Sequence, residues 1–130
     1  MRGGVLEYLY MFLKNFKSDE YENVLIVSQD YENKLDDFKE YVRSIYIISM
    51  VRDINLKEDL KAIKNIRKLL KQIKPDILYL HSSKAGAYGR IAMLFKHKTK
   101  ILYNAHGWYF NAEMSNKKKK TIALIEKVLA

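Results

Sequence analysis

The sequence predicts an α/β layer fold on a parallel sheet. Short apolar runs alternate with amphipathic stretches along the 130 residues. The runs are continuous and rich in β-branched residues, as strands buried on both faces are. One proline and five glycines leave the elements few interruptions. Strands that alternate with helices pack as helices over parallel strands.

Residues 4–16 read as a buried helix. Val5, Leu6, Leu9, Phe12, Leu13 and Phe16 recur there at helical spacing. Residues 23–28 (Asn-Val-Leu-Ile-Val-Ser) read as the first strand. Residues 30–41 are polar, with a short helix expected through Leu35 and Phe38. A second strand follows at 43–49. The clearest helix is 56–74, with Leu56, Leu60, Ile63, Ile66, Leu70 and Ile73 in one stripe. Asn55 is its expected cap, Glu58 holds the capping-box position, and Pro75 stops it. A third strand is expected at 76–80. Ser82 or Ser83 then caps a helix reaching about Phe95. A fourth strand occupies 100–104, a loop 105–114, and a last helix 115–129.

Length and apolar content, 48% of residues, suit one folded domain rather than disorder. Absent cysteine excludes disulfides, thiolate nucleophiles and zinc–thiolate sites. No stretch nears the roughly 18 apolar residues of a membrane span. Glu7, Lys14, Asn15 and Lys17 interrupt any signal-peptide core.

The net charge of +9 is unevenly placed. Residues 1–60 carry a balance of −4, residues 61–130 one of +13. A basic half of that size favours an anionic partner, though lysines also serve plain solubility. Lys57, Lys61, Lys64, Lys68 and Lys71 form a basic stripe on the 56–74 helix. Lys117, Lys118, Lys119 and Lys120 open the last helix, where the dipole disfavours cations. Both sets are candidates for an anionic membrane surface. Nucleic acid is not expected, because the aromatics are not interleaved with arginines and no binding motif appears.

In open α/β sheets ligands bind beyond the carboxyl ends of the strands. The unusual polar residues fall at such junctions. Gly3 and Gly4 precede the first helix, where amides could approach a phosphate. Ser82, Ser83 and Lys84 follow the third strand with two hydroxyls and an ammonium. His106 follows the fourth strand beside Gly107 and is the candidate catalytic residue. These junctions are expected to converge on one rim. His81 reads as a structural strand-end residue and His97, within Lys-His-Lys, as exposed. Three scattered histidines give no metal-ligand spacing. No Walker sequence, complete Gly-x-Gly-x-x-Gly or Gly-x-Ser-x-Gly elbow occurs.

Taken in order, several segments resemble the N-terminal half of family-four glycosyltransferases of the GT-B fold, above all bacterial capsule and exopolysaccharide enzymes. They are Arg-Gly-Gly-Val at 2–5, Val-Arg-Asp-Ile-Asn at 51–55 and Lys-Pro-Asp-Ile-Leu-Tyr-Leu-His-Ser-Ser-Lys-Ala-Gly at 74–86. Tyr88-Gly-Arg-Ile-Ala, Ala105-His-Gly-Trp-Tyr-Phe and Ile125-Glu-Lys-Val-Leu complete them.

The resemblance implies a Rossmann-like three-layer domain and a retaining transfer from a nucleotide sugar, with no metal or other cofactor. The acceptor is expected to be a glycan or lipid-linked, the location cytoplasmic on the inner face of the plasma membrane. It also implies that Gly3 and Gly4 lie near the donor diphosphate, His106 beside the transferred sugar, and Ser82, Ser83 and Lys84 on the acceptor side. Family members have a strand just before the glycine pair, where this chain has only Met1 and Arg2. Residues 1–130 thus read as a partial N-terminal domain, its first strand and the C-terminal donor domain missing and supplied in cis or trans. The chain is expected to be inactive alone. A non-catalytic subunit of a split transferase and a basic nucleic-acid module are the alternatives.

Overall fold

A computed structural model describes residues 4–16, 19–94, 98–106 and 115–130. In chain order these form α1 (Gly4–Asn15), β1 (Val24–Ser28), two 3₁₀ turns (Gln29–Lys34 and Asp36–Phe38), β2 (Ser44–Ile48), α2 (Leu56–Ile73), β3 (Ile77–His81), α3 (Ser83–Ala92), β4 (Lys100–Asn104) and α4 (Asn116–Leu129). The chain divides into two compact units, Met1–Glu58 and Asp59–Ala130. Each holds one pair of parallel strands, β1 beside β2 and β3 beside β4. Gly3, His97 and most of the expected 105–114 loop lie outside the described residues.

In the first unit the register runs from Val24 opposite Ser44 to Ser28 opposite Ile48. The helical spacing of α1 brings Leu6 and Leu13 into a core with Leu25, Val27, Leu35 and Phe38. Phe38 is fully buried and meets Tyr10 edge to face, ring centroids 5.9 Å apart. The polar stretch after β1 forms 3₁₀ turns where a short helix is expected. Ser28 caps the first turn, its Oγ accepting the Asp30 amide at 3.5 Å. Leu35 and Phe38 are three residues apart, which aligns them at the 3₁₀ period and turns both inward.

The second unit is a β3–α3–β4 crossover with α2 and α4. Its register runs from Ile77 opposite Lys100 to His81 opposite Asn104. Asn55 caps α2, its Oδ1 accepting the Glu58 amide at 3.2 Å, and the helix ends two residues before Pro75. The face that α2 buries differs from the expected stripe. Ala62, Ile66 and Leu70 are buried, while Leu56 and Leu60 are 76% and 57% exposed. Periodicity that counts only large apolar residues passes over Ala62, where the buried face starts. The strands also depart from burial on both faces, because Tyr46, Ile47, Ile101 and Leu102 are exposed. In a two-stranded pair every strand is an edge, and covering one face is enough to hold it.

Helix α3 packs on β3 and β4 because its glycines permit it. A Cβ on Gly86 would stand 2.3 Å from the Tyr103 ring, and one on Gly89 2.3 Å from Leu80. Helix α4 is capped by Ser115, whose Oγ accepts the Lys118 amide at 3.4 Å. It is tied down by Glu126, whose Oε2 meets Arg90 at 2.7 Å; both side chains are largely buried. Tyr103 donates to Glu126 Oε1 at 3.3 Å, and the Arg90 guanidinium lies 4.4 Å from the Tyr103 ring centre. Arg90 Nε–H also donates to the Gly86 carbonyl at 2.9 Å.

This clamp fixes the sign of a substitution at Gly86. Alanine gains up to about 1 kcal/mol of helix propensity. Overpacking costs about 1–3 kcal/mol, and the ring cannot swing away from Arg90 and Glu126. Gly86→Ala is therefore expected to lower the melting temperature by several degrees in a circular-dichroism melt. An unchanged or higher value would show that Tyr103 moves freely.

Candidate functional site

Parallel pairing puts the carboxyl ends of β3 and β4 at one edge. His81 is the last residue of β3, and His106 stands two residues beyond β4. The rings meet there, His81 Nδ1 lying 2.7 Å from His106 Nε2. Tyr79 packs on the His81 ring with centroids 4.1 Å apart. The His106 amide donates to Asn104 Oδ1 at 3.2 Å, and the Ser82 amide donates to the Asn104 carbonyl at 3.2 Å. Asn104 thus ties both strand ends together.

The backbone is strained at both ends. His106 has φ 49° and Ser82 has φ 74° with ψ 157°. The Ser82 conformation is essentially a glycine one, costing a side-chain-bearing residue about 1–3 kcal/mol. It also corrects the expected cap. Ser82 occupies the N-cap position of α3, but its side chain makes no capping hydrogen bond. A cap needs β-region φ and ψ to aim the oxygen at the N2 or N3 amide. Strain held in place by surrounding structure gathers at functional sites.

The other expected residues divide. Ser83 starts α3. Lys84 is drawn to Asp59, Nζ to Oδ1 at 3.2 Å, and lies 5.5 Å from the Tyr88 ring centre. Tyr88 donates its hydroxyl to the same Asp59 oxygen. Burial pushes the Tyr88 hydroxyl up in pKa, and the Asp59 carboxylate adds to the shift. Gly4, in the first unit, opens α1, and a Cβ there would meet nothing within 4 Å. Lys117, Lys118 and Lys120 are exposed in the first turns of α4, while Lys119 is half-buried.

The opposite end of β3 and β4 is a different environment. A concavity of about 540 Å³ lies there, rimmed by Arg67, Lys71, Lys74 and Lys98 over Leu70 and Met93. Helices α2 and α3 both end on that side, with their negative dipole ends. Cations at helix C-termini stabilise those ends, which accounts for the lysines without a ligand. Among the described residues no three of His, Cys, Asp and Glu gather as a metal would need.

Sequence reasoning missed His81, Asp59, Tyr88 and Asn104 as partners at this edge. For His81 a signal existed, since two successive strands each end near a histidine. Asp59 gave no signal, because an acidic residue in the first turn of a helix is ordinary.

Burial lowers the His81 pKa to about 4, and the nearby His106 adds to this. An unfolded histidine titrates near about 6.5. The stabilising contribution is thus complete above that pH and is lost as pH falls from about 6.5 towards 4. The contrast is drawn between variants. His81→Phe keeps a ring against Tyr79. It is expected to flatten the fall in melting temperature between pH 6.5 and pH 5 relative to the unaltered chain. Identical slopes would show that His81 is not held neutral.

The family model described as Glycosyltransferase Family 4 matches residues 2–130. The UDP-Gal:alpha-D-GlcNAc-diphosphoundecaprenol alpha-1,3-galactosyltransferase of Escherichia coli is 35% identical over 88 residues, 68% of this chain. That stretch is 22% of the relative's length. No solved structure matches.

Proposed function

We propose a function from one established premise: the chain belongs to glycosyltransferase family 4. Its parallel α/β architecture is that of a Rossmann-like half of a GT-B enzyme. We infer that it is the acceptor-side part of a retaining enzyme that moves a sugar from a nucleotide sugar to a lipid-linked glycan in surface-polysaccharide synthesis, without a metal. The relative's name, with a diphosphoundecaprenol acceptor and a UDP-sugar donor, supports this substrate class. The observation that carries the reading is the strained carboxyl edge of β3 and β4, where His106 is held against His81.

In this reading His106 faces the transferred sugar and stabilises charge developing at the anomeric carbon. Ser82 and Ser83 offer hydroxyls to the acceptor. Lys84, partly neutralised by Asp59, orients rather than simply attracts. Gly4 leaves room for donor phosphates at the start of α1, and the same role is proposed for Gly3, outside the described residues. The 130 residues alone are inactive, and a donor-binding domain acts with them in cis or trans. The chain meets the inner face of the plasma membrane through exposed lysines of α2 and α4. Each lysine near an anionic surface contributes on the order of 1 kcal/mol. No described helix is long and apolar enough to cross a membrane.

One vesicle experiment tests this reading. The chain is sedimented with neutral vesicles, with neutral vesicles carrying GlcNAc-diphosphoundecaprenol, and with anionic vesicles. Binding to the acceptor-bearing vesicles is expected to exceed binding to plain neutral ones. Binding to anionic vesicles is expected to fall with salt and when Lys117, Lys118, Lys119 and Lys120 become glutamine. Added labelled UDP-galactose is expected to give no transfer. Equal binding to plain and acceptor-bearing vesicles would overturn the acceptor role. Salt-insensitive binding would overturn the membrane contact, and transfer by the chain alone the expected inactivity.

A further inference from the structure

We propose that His81 is a positioning residue for His106: the two imidazoles share one proton, held between His81 Nδ1 and His106 Nε2. The proton sharing stands on geometry, and its consequence for transfer rests on the sugar-transfer reading above.

Two ring nitrogens 2.7 Å apart need one hydrogen between them. Two lone pairs facing each other repel, and two N–H groups collide. A neutral imidazole carries one donor and one acceptor nitrogen, so this contact couples the two tautomers. Either His81 donates from Nδ1 or His106 donates from Nε2.

Either arrangement ties the tautomer and orientation of one ring to those of the other. Tyr79 packs on the His81 ring from its own strand, with His106 across the edge. The Asn104 side chain, bonded to the His106 amide, steadies the backbone that carries the ring.

The consequence is that the Nε2 side of the His106 ring is committed to His81. His81 touches no substrate in this account. It fixes the orientation and tautomer of the residue that does, as carboxylates and carbonyls do for other working histidines.

Long-range proton–nitrogen NMR of the histidine rings tests this on the 130-residue chain near neutral pH, without donor or acceptor. Expected is a contact in which one of the two facing nitrogens, His81 Nδ1 or His106 Nε2, is protonated and the other is bare. In His81→Phe, the nitrogen signals of His106 are expected to move towards a tautomer mixture. His81→Asn, whose amide can stand in for Nδ1, is expected to restore them. Two protonated or two bare nitrogens at the contact would overturn the proposal, as would His106 signals indifferent to His81→Phe. If the phenylalanine variant does not fold, the tautomers of the unaltered chain and of His81→Asn still decide. Failure of acceptor binding in the vesicle experiment would leave these signals as expected, so the two readings fail separately.

Discussion

The parallel pairing of β3 with β4 is the constraint on which the second unit depends. An antiparallel pair would place one strand's start beside the other's end. The parallel register from Ile77–Lys100 to His81–Asn104 places both carboxyl ends together. Every polar group of the candidate edge follows from that: His81, Ser82, Asn104 and His106 come from two segments more than twenty positions apart in sequence. The pairing requires a crossover, and α3 supplies it. Gly86 and Gly89 let that crossover lie close against Tyr103 and Leu80. The small residues of α3 therefore serve the sheet, and through it the site.

A buried ion pair completes the unit. Arg90 and Glu126 are largely enclosed, and each has a further partner, Gly86 carbonyl for the one and Tyr103 for the other. Such a pair adds little compared with an apolar substitute, but removing one partner strands a charge, at about 3–5 kcal/mol. Its structural use here is positional. It ties α4 to α3 and holds the Tyr103 ring. Burial raises the Tyr103 pKa and Glu126 adds to it, so the phenol stays a neutral donor. Charge and packing at the α3 start are thereby linked to a helix far along the chain.

Much of this architecture was legible in the sequence. The four strands and four α-helices of the described residues follow from apolar runs and periodicity, and Asn55, Pro75 and Ser115 mark helix ends as their chemistry requires. What periodicity could not show was which apolar stripe a helix buries. In α2 a small residue, Ala62, decides it, and Leu56 and Leu60 are left outside. The site was legible in part. His106 stands out because it follows a strand directly, and Ser82 because it opens a helix. Their conformations were not legible, because positive φ at Ser82 and His106 is imposed by the tertiary ties to Asn104. Nor was the His81–His106 contact, which needs the register and a turn beyond it. Asp59 reaches Lys84 and Tyr88 across a span that no local pattern encodes.

The central claim is that the carboxyl edge of β3 and β4 is the ligand edge, and the concavity at their other end is not. Hydrogen–deuterium exchange with acceptor-bearing vesicles, compared with plain ones, tests it most directly. The account predicts acceptor-dependent protection of backbone amides at 81–84 and 104–106. Protection confined to 71–76 and 98–99, with the strand ends unchanged, would contradict it.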